Sequence, residues 1–351
     1  MPVLRLQRCV RPRPKINYMD LTNLEKLLKN EPKYRLKQAR EAVFKNFISD
    51  WDKATFLPKD LRKKLNEECS LLINAETLIS KTKDSVKARI KLKDGLLIES
   101  VLMRHKDGRN TVCVSSQVGC PLGCLFCATG KMGLKRNLEP MEIVEQVIFF
   151  NRYLKKGGQR VTNVTFMGMG EPFINYENVL KSIKILNNKE YFGIGARNIS
   201  VSTAGIIEGI EKFSKEGIQV NLAISLHAPN DELRSKLMPI NKTYPLEKVL
   251  QAVNNYIKKT NRQVMFEYLL IKDVNDSDYC ATELAGIMKN PLYYVNLIVY
   301  NETDGNEFKP STTERVKRFK EILKRKKIIF SQRYKFGQDI KAACGQFAGE
   351  K

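Results

Sequence analysis

Three cysteines crowd the stretch SSQVGCPLGCLFCATG: Cys120, Cys124 and Cys127, in the spacing C-x3-C-x2-C. Thiolates are soft ligands that select iron–sulfur clusters, zinc or copper. A structural zinc site closes with four ligands. The chain has two histidines: His105 falls in an expected turn, and His227 lies far along the sequence. A [4Fe-4S] cluster is usually held by four cysteines. Three leave one iron open, and an open position marks a reactive metal site. Five further cysteines stand alone, at 9, 69, 113, 280 and 344. Cys344, in DIKAACGQF, has only small neighbours (Ala342, Ala343, Gly345) and sits in a basic tail. Such surroundings let a thiol reach a bulky partner and favour its thiolate. Cys113 lies seven residues before Cys120. Cys9, Cys69 and Cys280 read as spectators.

What must position these residues is an alternation of strands and helices. TVCVSSQ reads as a strand feeding directly into the cysteine loop. Strand signals then recur at VTNVTFMG, RNISVST, VNLAISLH, QVMFEYLLI, YYVNLIVY and IIFSQR. Amphipathic helical stretches separate them, the first being EPMEIVEQVIFFNRYLKK with its proline near the start. Such alternation predicts a parallel sheet covered by helices, here a partial (β/α)6 barrel. In such folds the loops after the strands carry function. The cysteine loop, GMGEP, STAG, SLHAP and YNET all follow strands, so they share one rim. Upstream, residues 86–104 alternate around Asp94-Gly95 and predict a β-hairpin. Residues 21–80 read as short helices. The expected domains are a basic helical accessory domain (1–82), a hairpin linker (83–109), a barrel (110–335) and a C-terminal segment (336–351).

The charge is strongly one-sided: 61 Lys and Arg against 38 Asp and Glu, a net of +23. Residues 1–60 carry 14 basic and 7 acidic side chains, and residues 309–351 carry 13 and 4. An excess concentrated at both ends suits a long polyanion, and nucleic acid leads. KMGLKRN adds three basic residues beside the cysteine loop, where a phosphate could pass. No run reaches the ~18 apolar residues of a membrane span. The N-terminal stretch is basic without an apolar signal core, so a cytoplasmic protein with reduced thiols is expected.

On these motifs the chain resembles the radical S-adenosylmethionine (SAM) enzymes. C-x3-C-x2-C with Phe126 before the last cysteine, placed after a first barrel strand, carries the resemblance. MGMGEP is similar to that superfamily's Gly-Gly-Glu motif. Over most of its length the chain further resembles the radical-SAM ribosomal RNA adenine methyltransferases, the RlmN/Cfr family. The carrying segments are LIESVLM, TVCVSSQVGCPLGCLFCATGKMGLKRNL, FMGMGEP, VSTAG, AISLHAPND, LMPIN, VNLIVYN and DIKAACGQFAG.

The resemblance implies a [4Fe-4S] cluster on Cys120, Cys124 and Cys127, and two SAM molecules per turnover. It places Gly170, Glu171, Ser202, Ser225, Leu226, His227 and Asn301 at the SAM. Cys344 would become S-methylcysteine, and a deoxyadenosyl radical would then take a hydrogen from that methyl group. Cys113 would resolve the protein–RNA adduct by a transient disulfide with Cys344, and Glu99 would accept the ring proton. The implied substrates are 23S rRNA, at C2 of an adenine near the peptidyl-transferase centre, and tRNA at the adenine 3′ of the anticodon. A flavodoxin-like electron donor and a monomeric enzyme are expected. GMGEP with Pro172, followed by INYENV, resembles the C2-methylating branch, whereas RYKFGQDI leans toward its C8-methylating relative and YNET lacks the usual proline after Asn301. A non-catalytic iron–sulfur RNA-binding protein is the remaining alternative.

Overall fold

The computed structural model describes residues 18–348, so Cys9 and the basic arm before Tyr18 lie outside the described residues. Two compact units divide the chain, Met1–Asn74 and Ala75–Lys351. The first is helical. Lys33–Phe44 and Lys59–Glu68 are its longer helices, and each begins directly after a proline, whose fixed φ suits a helix start. Ala39, Val43, Leu61, Leu65 and the fully buried Trp51 belong to its core. The Trp51 indole N–H donates to the carbonyl of Cys69 at 2.6 Å, which satisfies the one polar group the ring brings inside. Cys69 is thus packed into this core. Its thiol is pushed up to about 12 by burial.

The second unit is built on a ten-stranded sheet. Its strands are β1 (Asn74–Ile79), β2 (Ser85–Lys91), β3 (Leu97–Arg104), β4 (Asn110–Cys113), β7 (Asn163–Phe166), β8 (Ile199–Thr203), β9 (Asn221–Ser225), β10 (Val264–Leu270), β11 (Tyr293–Val299) and β12 (Phe330–Gln332). β5 (Gln117–Gly119) and β6 (Leu134–Asn137) form a separate small hairpin. β2–β3 and β3–β4 are antiparallel. From β4 to β12 every neighbouring pair is parallel. Parallel neighbours need crossovers, and helices supply them. These include Pro140–Lys155, Tyr176–Asn187, Ile207–Phe213, Leu246–Thr260, Asp278–Ile287 and Thr313–Arg325. Six strand–helix units followed by the short β12 make the expected partial barrel. Asp94-Gly95 turns the β2–β3 hairpin as read, with Gly95 at φ +84°.

Two readings change. Asn74–Ile79, inside the stretch expected to be helical, is a strand at the edge of the sheet, its side chains mostly exposed. And the cysteine loop is closed by the β5–β6 hairpin, where only a loop was anticipated. Gly119 makes that closure possible. It sits at φ +79°, and a Cβ there would lie 1.8 Å from the Gly133 carbonyl oxygen. Only glycine fits.

Candidate active site

All five odd polar segments lie at the C-terminal ends of the parallel strands, as the alternation requires. They line two adjoining clefts. The larger holds about 930 Å³ of empty space, part of it open to solvent. Cys120, Cys124 and Cys127 line it, with Gly170, Glu171, Ser202, Ser225 and His227 opposite. The smaller is lined by Cys113, Asn301 and the segment Arg333–Phe336. Met167, Ile298, Arg333, Cys344 and Phe347 face both. Cys344 has accessible surface, and that surface belongs to these clefts.

The cysteine loop is fixed by backbone on all sides. Cys120 N donates to Gly133 O at 3.1 Å, and Leu125 N to Leu237 O at 3.0 Å. Ala128 N donates to Gly345 O at 2.8 Å, and the Thr129 hydroxyl to Phe347 O at 2.6 Å. The loop and the Cys344 segment are therefore one hydrogen-bonded unit. Burial pushes the Cys120 thiol up to about 12 and raises that of Cys124 well above its usual value. Buried thiols without a cation resist ionisation, and a bound metal reverses this. Among the described residues no three Cys, His or acidic groups converge on a single ion position. A cluster asks for something else, one thiolate on each of three irons, and three cysteines on one cleft wall fit that demand.

The opposite wall comes from the loops after β7, β8 and β9. Gly170 adopts φ +103°, and a Cβ there would meet the Gln117 side chain at 2.6 Å. Glu171 is 3% exposed. Its Oε1 accepts from Phe173 N at 3.0 Å and its Oε2 from Ala204 N at 2.8 Å. The carboxylate thus staples the β7 loop to the β8 loop, with the Thr203 side chain as a further partner. Burial raises its pKa. The Ser202 and Ser225 hydroxyls stand 3.4 Å apart. His227, at φ +57°, accepts from Leu269 N at Nδ1, 3.1 Å away, which leaves the proton on Nε2. Burial and then the nearby Arg234 hold its pKa down at about 3, so the ring is neutral.

Several expected residues stand elsewhere. Leu226 is fully buried and lines neither cleft; its carbonyl accepts from Arg234. Asn301 faces the smaller cleft. Its amide donates to Cys344 O at 3.5 Å and its Oδ1 accepts from Gln338, so it holds the Cys344 segment. Glu99 lines neither cleft. It pairs with the buried Lys87 at 3.2 Å and accepts from Ala348 N at 3.2 Å, while Lys87 also donates to Lys341 O. This pair clamps both ends of the Cys344 segment. Of the three basic residues beside the loop, Arg136 is engaged by Asp94 and Glu142, and Lys131 donates to Gly305 O. Cys280 is buried on its helix, outside both clefts.

Two cleft residues were missed. Glu267, in the middle of β10, is 3% exposed. Its Oε2 accepts from Asn296, but Oε1 has no partner, and burial raises its pKa. The signal was present: an acid inside the apolar run VMFEYLL. Arg333, just after β12, faces both clefts and donates to Met167 Sδ at 3.1 Å. Burial pushes the Cys344 thiol up to about 12 against the opposing charge of Arg333. The Cys113 thiol is raised for the same reason, with Arg333 again opposing.

The family model of the radical SAM superfamily matches residues 114–283. Relatives described as "Probable dual-specificity RNA methyltransferase RlmN" align nearly end to end. That of Dictyoglomus thermophilum is 46% identical over 93% of this chain and 94% of its own length. That of Streptococcus thermophilus is 43% identical over 90% and 82%. The chain belongs to the RlmN family of radical-SAM RNA methyltransferases. A solved member of that superfamily, a radical SAM methyltransferase from Sphaerobacter thermophilus, superposes with a TM-score of 0.89 at 43% identity, covering 95% of this chain and 99% of that one. The three cysteines lining the larger cleft fall inside the matched region. Among the described residues no helix is long and apolar enough to cross a membrane.

Proposed function

We propose that the protein methylates C2 of an adenine in 23S rRNA, and of the adenine 3′ of the anticodon in tRNA, with Cys344 carrying the methyl group on the way. The observation that carries this reading is the position of Cys344: it faces the cluster cleft on one side and the cleft of Cys113 on the other. The relatives' description as dual-specificity RNA methyltransferases favours the C2 branch over the C8 one.

An amidine carbon of adenine is electron-poor and cannot take a methyl group as a nucleophile, so a covalent route through the protein is needed. The Cys344 thiolate first accepts a methyl group and becomes a thioether. SAM held on the cluster supplies a methyl donor and, after one-electron reduction, a hydrogen-abstracting radical. The S-bound carbon of Cys344 then bonds to the adenine carbon. Glu99 takes the ring proton, which requires Ala348 N to release its carboxylate. Cys113 thiolate attacks the Cys344 sulfur, the bond from that sulfur to the transferred carbon breaks, that carbon takes a proton to become the ring methyl group, a one-electron carrier takes up the unpaired electron left by radical addition, and a disulfide forms. A dithiol reductant returns both thiols. Glu171, Ser202, Ser225 and His227 orient the SAM, and the basic ends at residues 1–60 and 309–351 bind RNA backbone. The target base leaves its stack to reach Cys344. A flavodoxin-like donor, a monomeric enzyme and a cytoplasmic location complete the reading.

Anaerobic reconstitution followed by reaction with unmodified 23S rRNA and tRNA fragments tests it. Nucleoside mass spectrometry is expected to find 2-methyladenosine. Finding 8-methyladenosine instead would reassign the branch, and finding neither would remove the function.

A further inference from the structure

Arg234 lies at the start of neither cleft, yet it ties the site together. It is fully buried, with 0% exposure, on the short helix Asp231–Leu237. Its guanidinium donates to Ala204 O at 2.6 Å, Ser225 O at 3.1 Å and Leu226 O at 3.2 Å. It also donates to Asn241 Oδ1 at 2.6 Å and Tyr244 O at 3.4 Å. Every one of these acceptors is neutral. Asp231 is joined to it only through Asn241, whose amide donates to the Asp231 carboxylate, and Asp231 is exposed. The last residue of the same helix, Leu237, accepts from Leu125 N inside the cysteine loop. Leu237 and Met238 pack in one apolar cluster with Cys120, Cys124 and Phe126.

A buried, hydrogen-bonded cation with no anion in contact is costly, by several kcal/mol after relaxation. Neutral acceptors could be tied together by a neutral donor such as glutamine at far lower cost. The retained charge therefore calls for a negative group nearby. Three thiolates and the iron–sulfur core they hold carry net negative charge, which grows on reduction. The two groups whose negative charge would reach Arg234 are Asp231 and, as a thiolate, Cys124.

We propose that Arg234 is the buried counter-charge of the cluster, a positioning residue whose positive charge makes the cluster easier to reduce while its hydrogen bonds hold the β8 and β9 loops against the cysteine loop. Cluster potentials respond to net charge and burial around the sulfurs, and a low-dielectric setting leaves the charge little screened. The inference rests on the radical-SAM assignment, not on the identity of the methylated base.

The test is redox titration of the reconstituted cluster, followed by electron paramagnetic resonance, in four proteins matched for iron and sulfide content. Arg234→Lys keeps the charge and loses most of the hydrogen bonds. Arg234→Gln loses the charge. Asn241→Asp, made together with Asp231→Asn so that two carboxylates do not face each other, keeps Arg234 and its contact but places a carboxylate on the guanidinium, cancelling the charge in place. The expected result is a midpoint at least tenfold less favourable to reduction, 59 mV for a one-electron couple, in Arg234→Gln and the double variant alike, with Arg234→Lys near the parent. If Arg234→Gln does not hold a cluster, the double variant decides alone. A double-variant midpoint equal to the parent's would overturn the proposal, and so would an Arg234→Lys shift as large as that of Arg234→Gln. Failure of RNA methylation with these shifts intact would count against the proposed function and not against this inference.

Discussion

The two clefts share a wall and differ in almost everything else. The cluster cleft is rigid by construction. Its cysteine loop is pinned by the β5–β6 hairpin and by backbone bonds to Leu237, Gly345 and Phe347. Its far side is stapled by Glu171 and tied by Arg234. The cleft of Cys113 is bounded on one side by the chain end, residues 333–347, held by side-chain bonds from Asn301, Lys87 and Glu99. The difference teaches a division of labour. A site that holds a reactive cofactor must be preorganised, and Cys344, which faces both clefts, is tied to that site through Ala128 and Thr129. Cys344 stands on the wall between them.

The comparison breaks most sharply at Cys344. Cys344→Ala should lower RNA methylation by more than about 10³-fold and leave the iron content unchanged, as iron assay beside nucleoside mass spectrometry would register. A large loss of iron in that variant would mean the two clefts do not act separately. Next comes the cluster wall: Cys124→Ala should lose bound iron after reconstitution, while thermal unfolding of the metal-free protein stays close to that of the parent. A smaller effect concerns the thiol. In cluster-free protein the Cys344 thiol, pushed up to about 12 by burial, is mostly protonated. Its thiolate fraction, and so its alkylation by iodoacetamide read on the Cys344 peptide, should rise about tenfold per pH unit between about pH 7 and pH 10. A plateau within that window would show a thiol ionised earlier than the buried setting allows. Smallest is Gly170→Ala, which places a Cβ at φ +103° against Gln117. It should destabilise the fold by about 1–3 kcal/mol and weaken SAM binding in calorimetry, with the Cys113 cleft unaffected.

Most of the barrel was legible in the sequence because each strand is bounded by a helix of clear apolar period. The exceptions have local causes. Asn74–Ile79 lacks alternation because an edge strand with exposed side chains has no buried face to write into the sequence. The β5–β6 hairpin is too short, at three and four residues, to show a period. The three cleft cysteines were legible from residue type and spacing, since chemistry restricts both, and the rim carboxylate Glu171 from the resemblance of MGMGEP to a family motif. Leu226, Asn301 and Glu99 were carried by resemblance; in the structure Leu226 is buried, Asn301 contacts the Cys344 segment and Glu99 pairs with Lys87. Glu267 and Arg333 escaped because a single charged residue in a strand, or just past one, reads as an irregularity until the fold aims it at a cleft.

The central claim is that the methyl group reaches RNA by way of Cys344. An isotope chase tests it directly. The Cys344 thiol is loaded from SAM bearing a deuterated methyl group, excess donor is removed, and RNA is added with unlabelled SAM. The account predicts that the first methyl group to appear on adenine carries deuterium and that the Cys344 peptide loses it in equal measure. An RNA methyl group drawn wholly from the unlabelled SAM, with the label still on Cys344, would contradict it.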